Sequence, residues 1–203
     1  MVVSLDGYYC DPQGDMSFAH KPPDDAEWYE FVAGNAKSDD TLLFGRVSYD
    51  MMAAWWPTST AREMMPEIAA GMNAKPKIVF SRTLRSTDWN NTTLVKDDVV
   101  VAVRRLKGVP GPDLMVLGSG SIVTPLADAG LIDSLQVVVT PVAMGAGKSL
   151  LAGLTKRQYF ALTNTRAFRN GSVVLSYAPR DGEPAAARPV AEGGPLYRPP
   201  RTG

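Results

Sequence analysis

Apolar residues fall in short runs separated by polar, glycine-marked breaks. Thr41-Leu42-Leu43-Phe44, Lys77-Ile78-Val79-Phe80, Asp113-Leu114-Met115-Val116-Leu117 and the valine-rich stretch from Leu135 to Thr140 are compact enough to be buried strands. Residues 1–5 read as a shorter strand, clipped at the initiator methionine and ending at Asp6-Gly7, with a polar loop after it. Between these runs the pattern turns helical. One helix is predicted over 24–37, where Asp24-Asp25 precede an apolar stripe of Trp28, Phe31 and Val32. Others begin near Ser48 and cover 61–72, 97–107 and 121–129, the last closed by Gly130. A short strand is expected at 93–95. Finally, 159–168 and 172–178 flank Asn170-Gly171, a dipeptide that favours positive φ at both central positions of a tight hairpin turn.

Strand and helix alternate and a hairpin follows. That order predicts an α/β fold: a mostly parallel twisted sheet with helices on both faces and a C-terminal antiparallel hairpin. One domain is expected over 1–179. Residues 180–203 hold five prolines and four glycines in 24 residues and offer little to bury, so they read as a disordered tail. A Pro-rich docking segment is the lesser alternative there.

Composition narrows the function classes. The 203 residues are 45% apolar and 21% charged, enough for a sizeable core without covalent staples. Lys and Arg number 21 and so do Asp and Glu, which gives no electrostatic reason to expect nucleic acid or an anionic membrane as partner. Cys10 and His20 are the only residues of their types, so neither an internal disulfide nor a histidine-based metal centre is expected. No apolar run approaches the roughly 20 residues of a membrane span, and the N-terminus lacks a leader pattern. A cytoplasmic protein is the expectation.

Three glycine features follow strands. Phe44-Gly45-Arg46-Val47-Ser48 sits where a strand opens a helix. Exposed N–H groups there suit phosphate, Gly45 lets the backbone approach, and Arg46 and Ser48 can add hydrogen bonds. A plain strand-to-helix turn with a serine cap is the competing reading. Leu117-Gly118-Ser119-Gly120-Ser121 repeats the device, although Val123 breaks the dinucleotide fingerprint. Two helix N-termini in one sheet can grip the two phosphates of one cofactor. Gly147-Lys148-Ser149 ends like a phosphate-binding P-loop, but Val142 stands where its first glycine belongs, which argues against triphosphate hydrolysis. Ser81-Arg82-Thr83 ends another strand; an arginine beside two hydroxyls suits a ribose 2′-phosphate, and a solvated loop arginine is the even alternative. A carboxylate at 24 or 25, walled by aromatics, could handle a proton or merely cap a helix.

Taken in order, Val3-Ser4-Leu5-Asp6-Gly7, Leu43-Phe44-Gly45-Arg46-Val47-Ser48-Tyr49, Ser81-Arg82-Thr83, Leu117-Gly118-Ser119-Gly120 and Pro141 through Gly147 resemble the dihydrofolate reductase superfamily over residues 2–178. The likeness is to the branch holding the reductase domain of bifunctional riboflavin-biosynthesis deaminase-reductases and their stand-alone bacterial relatives. It implies an NADPH-dependent oxidoreductase acting on a small heterocycle, pterin-like or an aminopyrimidine such as 5-amino-6-(5-phosphoribosylamino)uracil. By resemblance Gly45, Arg46 and Ser48 meet the NADPH phosphates, and Ser81 and Arg82 hold the 2′-phosphate. Gly118, Ser119, Gly120 and Ser121 then line the pyrophosphate and nicotinamide side. The resemblance makes Asp25, ahead of Trp28-Tyr29, the proton handler, with Asp24 and Glu27 as rivals. It puts Asp6, Phe18 and Trp28 against the substrate, Phe18 on the lid loop 14–18 in place of the usual tryptophan. No counterpart appears of the arginine that holds the folate glutamate, Arg62 being merely nearby. That departure puts true dihydrofolate reduction in doubt, and the deaminase portion of the riboflavin proteins is absent; a genuine dihydrofolate reductase remains one alternative, and a catalytically degenerate binding protein on the same fold, which the missing arginine suits, the other. Relatives often pair, which makes a homodimer the expected state.

Overall fold

The computed structural model describes residues 1–22 and 24–182. The expected tail lies almost wholly outside them. The elements, in order, are β1 (Val2–Val3), β2 (Tyr8–Cys10), α1 (Ala26–Lys37), β3 (Asp40–Gly45), α2 (Arg46–Trp55), α3 (Ser59–Met64), α4 (Pro66–Ala74), β4 (Lys77–Phe80) and β5 (Thr92–Val95). They continue with α5 (Val99–Lys107), β6 (Asp113–Val116), α6 (Gly120–Asp128), β7 (Leu135–Val139), β8 (Lys148–Ser149), β9 (Tyr159–Ala167) and β10 (Val173–Arg180). Strands β5-β4-β3-β6 form one sheet, parallel throughout. Strands β1-β7-β10-β9 form a second, in which β1 runs parallel to β7 and the hairpin β9–β10 is antiparallel. A two-stranded ribbon, β2–β8, stands apart.

The period of two explains the layering. Leu42, Phe44 and Val79 point to one face, where α1, α2 and α4 supply Ala33, Ala36, Tyr49, Ile68 and Met72. Leu43 points to the other, against Val103 of α5 and Ile122 and Leu126 of α6. Phe44 is fully buried, a burial of about 3 kcal/mol. Helix α1 spans both sheets: Trp28 and Phe31 pack on Val138, Phe168 and Val174 of the second. The predicted three-layer α/β architecture is therefore the observed one.

Several boundaries differ from the pattern reading, each for a local reason. The helix expected over 61–72 is two helices, because Pro66 cannot continue α3 and instead opens α4. The segment after Asp6-Gly7 is not all loop, since Tyr8–Cys10 pairs with Lys148–Ser149. Only Gly171 of the hairpin turn has positive φ, +81°. The Gly171 N–H donates to Phe168 O, and the Phe168 N–H to Ser172 O. That is a three-residue loop with glycine at the bulge, rather than the expected two-residue turn.

At the start of β4, Lys77 lies almost wholly buried with no carboxylate partner among the described residues. Its Nζ donates to Asn73 O at 3.2 Å, Lys75 O at 2.7 Å and Asn90 O at 3.2 Å, and stands 4.4 Å from the centre of the Trp89 ring. Burial pushes its pKa from 10.5 down to about 8. The unfolded chain then binds a proton between those values that the folded chain releases, so this group makes stability rise from pH 8 towards 10.5. Urea unfolding of the wild type and of Lys77→Met across that range measures the effect; the Lys77 share of the slope is expected to vanish in the variant.

Candidate functional site

Parallel pairing of β3 with β6 brings two strand-to-helix turns side by side. Leu43 pairs with Val116, so Gly45 at the end of β3 comes against Gly118-Ser119 at the end of β6. Cross-links fix the two turns. The Gly45 N–H donates to Ser119 Oγ at 3.0 Å, and Ser48 Oγ donates to Gly118 O at 2.8 Å. Ser119 is buried, and Gly118 takes a φ of +69°, which favours glycine. A Cβ on Gly45 would stand 3.1 Å from Ser121 Oγ. Thus Gly45, Ser48, Gly118, Ser119 and Ser121 form one cluster, as the sequence suggested.

The helix starts in this cluster differ from their neighbours. Side chains cap α1 (Asp25), α3 (Thr58) and α5 (Asp98), and Pro66 occupies the first turn of α4. Neither α2 nor α6 has a side-chain cap. Ser48, read as a possible cap, instead ties α2 to the neighbouring turn. Two adjacent helix N-termini therefore keep their first N–H groups available, and each carries a partial positive charge. Arg46 pairs with Asp50 at 2.9 Å on the exposed side of α2. This donor set fits the diphosphate of a dinucleotide, while the missing Cβ atoms of Gly45 and Gly120 make room for Ser121 and the Tyr9 ring.

Ser81 and Arg82 follow β4, the strand next to β3, on the same edge. Ser81 Oγ accepts the N–H of Thr83 and of Leu84, which turns the chain sharply and leaves Arg82 exposed. Arg82 has no ion-pair partner among the described residues.

Tyr9 was not singled out in the sequence. Its ring lies across the start of α6: a Cβ on Gly120 would meet Tyr9 Cε1 at 2.9 Å and Cζ at 3.2 Å. Burial raises the Tyr9 pKa. The sequence signal was available, since Tyr9 sits two residues past Asp6-Gly7, but its partner is more than a hundred residues away.

Asp6 is exposed just after β1. Its carboxylate accepts Ser4 Oγ at 2.5 Å, the Met144 N–H at 3.0 Å and the Gly145 N–H at 2.7 Å, and so holds the loop that precedes β8. Those bonds, Ser4 first, pull its pKa from 3.8 to about 2. The loop it anchors is expected to stay closed above pH 4 and to release as pH falls through about 2, which the amide signals of Met144 and Gly145 would report.

Asp25 caps α1. Its Oδ1 accepts the Trp28 N–H at 3.1 Å and its Oδ2 accepts Asn170 Nδ2 at 2.6 Å. Its rivals point elsewhere: Glu27 accepts the Arg169 N–H at 3.1 Å, and Asp24 is exposed. Trp28 stacks edge-on against Phe168 at 5.2 Å, with its own surface half-covered. Phe18 sits half-buried on a short 3-10 turn, Ser17–Ala19, which Asp15 fastens through Ser17. Another residue missed in the sequence is Lys21, whose Nζ donates to Thr140 Oγ1 at 3.4 Å.

The described residues contain no cluster of histidine, cysteine, aspartate and glutamate able to hold a metal, and no helix long and apolar enough to cross a membrane. The family model of the RibD C-terminal domain matches residues 1–174. The chain belongs to the RibD C-terminal domain family. Among curated relatives, the uncharacterized protein YyaP of Bacillus subtilis (strain 168) is 30% identical over 177 residues, 87% of this chain and 91% of YyaP. A Shewanella sp. PV-4 protein assigned to riboflavin biosynthesis superposes with a TM-score of 0.67 at 21% identity, covering 89% of this chain and 96% of that one. The deaminase and 5-amino-6-(5-phosphoribosylamino)uracil reductase of Thermotoga maritima superposes with a TM-score of 0.58 at 14% identity, covering 88% of this chain and 55% of the bifunctional protein. At such identities these structures share the RibD C-terminal fold with this chain.

Proposed function

We propose that this RibD-family chain is an NADPH-dependent reductase of a small heterocycle, an aminopyrimidine of the riboflavin pathway or a close analogue. The observation that carries the reading is the pair of adjacent, uncapped helix starts at Arg46 and Gly120. The first N–H groups of α2 and α6, with Ser121 Oγ, would hold a diphosphate there. Arg82 lies on the same sheet edge and takes the 2′-phosphate, which gives the preference for NADPH over NADH. When bound, the nicotinamide supplies the hydride. Ser119 and Ser48 keep the two turns in register. Asp25, Trp28 and Phe18 make the substrate side, under the N-terminus of α1.

The test is NADPH oxidation by the purified protein with 5-amino-6-(5-phosphoribosylamino)uracil and with dihydrofolate as acceptors. Turnover of the first, without tight methotrexate binding, is expected. Turnover of dihydrofolate with tight methotrexate binding would make the protein a dihydrofolate reductase. NADPH binding without turnover of either would favour a binding protein on the same fold.

A further inference from the structure

Beneath the N-terminus of α1 lies a polar cluster that the cofactor reading does not use. The register Val173–Val139 and Val174–Val138 fixes which side chains face α1. Val138 and Val174 pack against Trp28 and Phe31, so by the period of two Thr140 and Ser172 face the same way. Thr140 is buried and Ser172 fully so, and the Ser172 Oγ has no hydrogen-bond partner among the described residues.

Lys21 reaches into this corner from the loop before α1. Its Nζ makes one long bond, to Thr140 Oγ1 at 3.4 Å, and stands 5.9 Å from the centre of the Trp28 ring. It forms no ion pair among the described residues. An ammonium has three protons to donate, and among the described residues only Thr140 accepts one. Among the described residues the carboxylate of Asp25, at the start of α1, acts on its charge, while Thr140 after β7 and Ser172 before β10 bring none. Burial lowers the Lys21 pKa and Asp25 partly restores it. Asp25 itself is an acceptor on both oxygens, to the Trp28 N–H and to Asn170.

We propose that Lys21 is the proton donor of this site. The inference rests on the reductase reading above. The substrate's C=N carbon receives the hydride, and its π pair moves to nitrogen. There an N–H bond forms as the Nζ–H bond breaks. The substrate is reduced, the nicotinamide is oxidised, and Lys21 is left as a neutral amine that solvent reprotonates.

The experiment compares wild type, Lys21→Met and Lys21→Arg, using NADPH with 5-amino-6-(5-phosphoribosylamino)uracil and with dihydrofolate. It reads kcat across pH and the NADPH dissociation constant. Both variants should bind NADPH as the wild type does and lose about 10²-fold or more in kcat. The alkaline limb of the kcat profile should disappear with them, and Asp25→Asn should move that limb to lower pH. Arginine keeps the charge but does not give up a proton near neutrality, so recovery of kcat in Lys21→Arg would overturn the proposal in favour of a purely electrostatic role. Unchanged kcat in Lys21→Met would overturn it outright and leave the reductase reading standing. No turnover of either acceptor by the wild type would overturn both.

Discussion

Gly71→Ala should lower stability by about 3 kcal/mol, a fall of roughly 6–12 °C in Tm for a chain of this size. Gly71 lies on α4 where that helix crosses α1. An added Cβ would stand 2.9 Å from the carbonyl carbon of Ala36 and 3.1 Å from its Cβ, with the carbonyl oxygen closer still. These are backbone atoms and a side-chain stub, so no rotamer change relieves the clash and the two helices must separate. The pair they form carries Ala33, Ala36, Ile68 and Met72, buried together against Leu42 and Phe44. Gly34→Ala on α1 is the control. Nothing lies within 4 Å of its added Cβ, so helix propensity alone decides and stability should rise by about 0.5–1 kcal/mol. Thermal unfolding of both variants checks the contrast.

Gly147→Ala should damage the site more than the fold. A Cβ there would lie 2.9 Å from Tyr8 Cβ and 3.0 Å from Tyr8 Cγ, with the Cys10 carbonyl oxygen nearer still. The ribbon β2–β8 must open to accept it. Tyr9 moves with the ribbon and leaves the start of α6, and the loop held by Asp6 shifts with Gly147. The main sheets do not include the ribbon, so the cost in stability should stay within about 1–3 kcal/mol. A displacement of about 1 Å in a positioned site can cost about 10²-fold in turnover, and a loss of that order in kcat/KM is expected. Circular dichroism should show the helices retained.

Both substitutions bear on what could be read from the chain. Strands β3, β4, β6 and β7 and the hairpin were legible because each is a short apolar run bounded by glycine or polar residues. The two strand-to-helix turns at Gly45 and Gly118 were legible as turns because glycine, serine and a helix start coincide in sequence. Pairing across long separations was not. Tyr8–Cys10 is a three-residue strand whose partner among the described residues, β8, is two residues long. Pattern cannot find such an element, because what orders it is contact rather than periodicity. The same holds for Asp6, whose role as a loop clamp depends on N–H groups at 144 and 145, and for Lys21, which reads as one more loop cation until β7 brings Thr140 beneath it. The split of α3 from α4 could have been read, since Pro66 was in plain view.

The proposed cofactor site reduces to one physical reading: we propose that two helix starts without side-chain caps, and an arginine with no ion-pair partner among the described residues on the same sheet edge, hold a 2′-phosphorylated dinucleotide. Titration of NADPH and NADH into the wild type and Arg82→Ala, followed by tryptophan fluorescence, tests it directly. The account predicts that the wild type binds NADPH at least about tenfold more tightly than NADH, and that Arg82→Ala abolishes the difference while leaving NADH affinity unchanged. Equal affinity of the wild type for the two cofactors, or no binding of either, would contradict it.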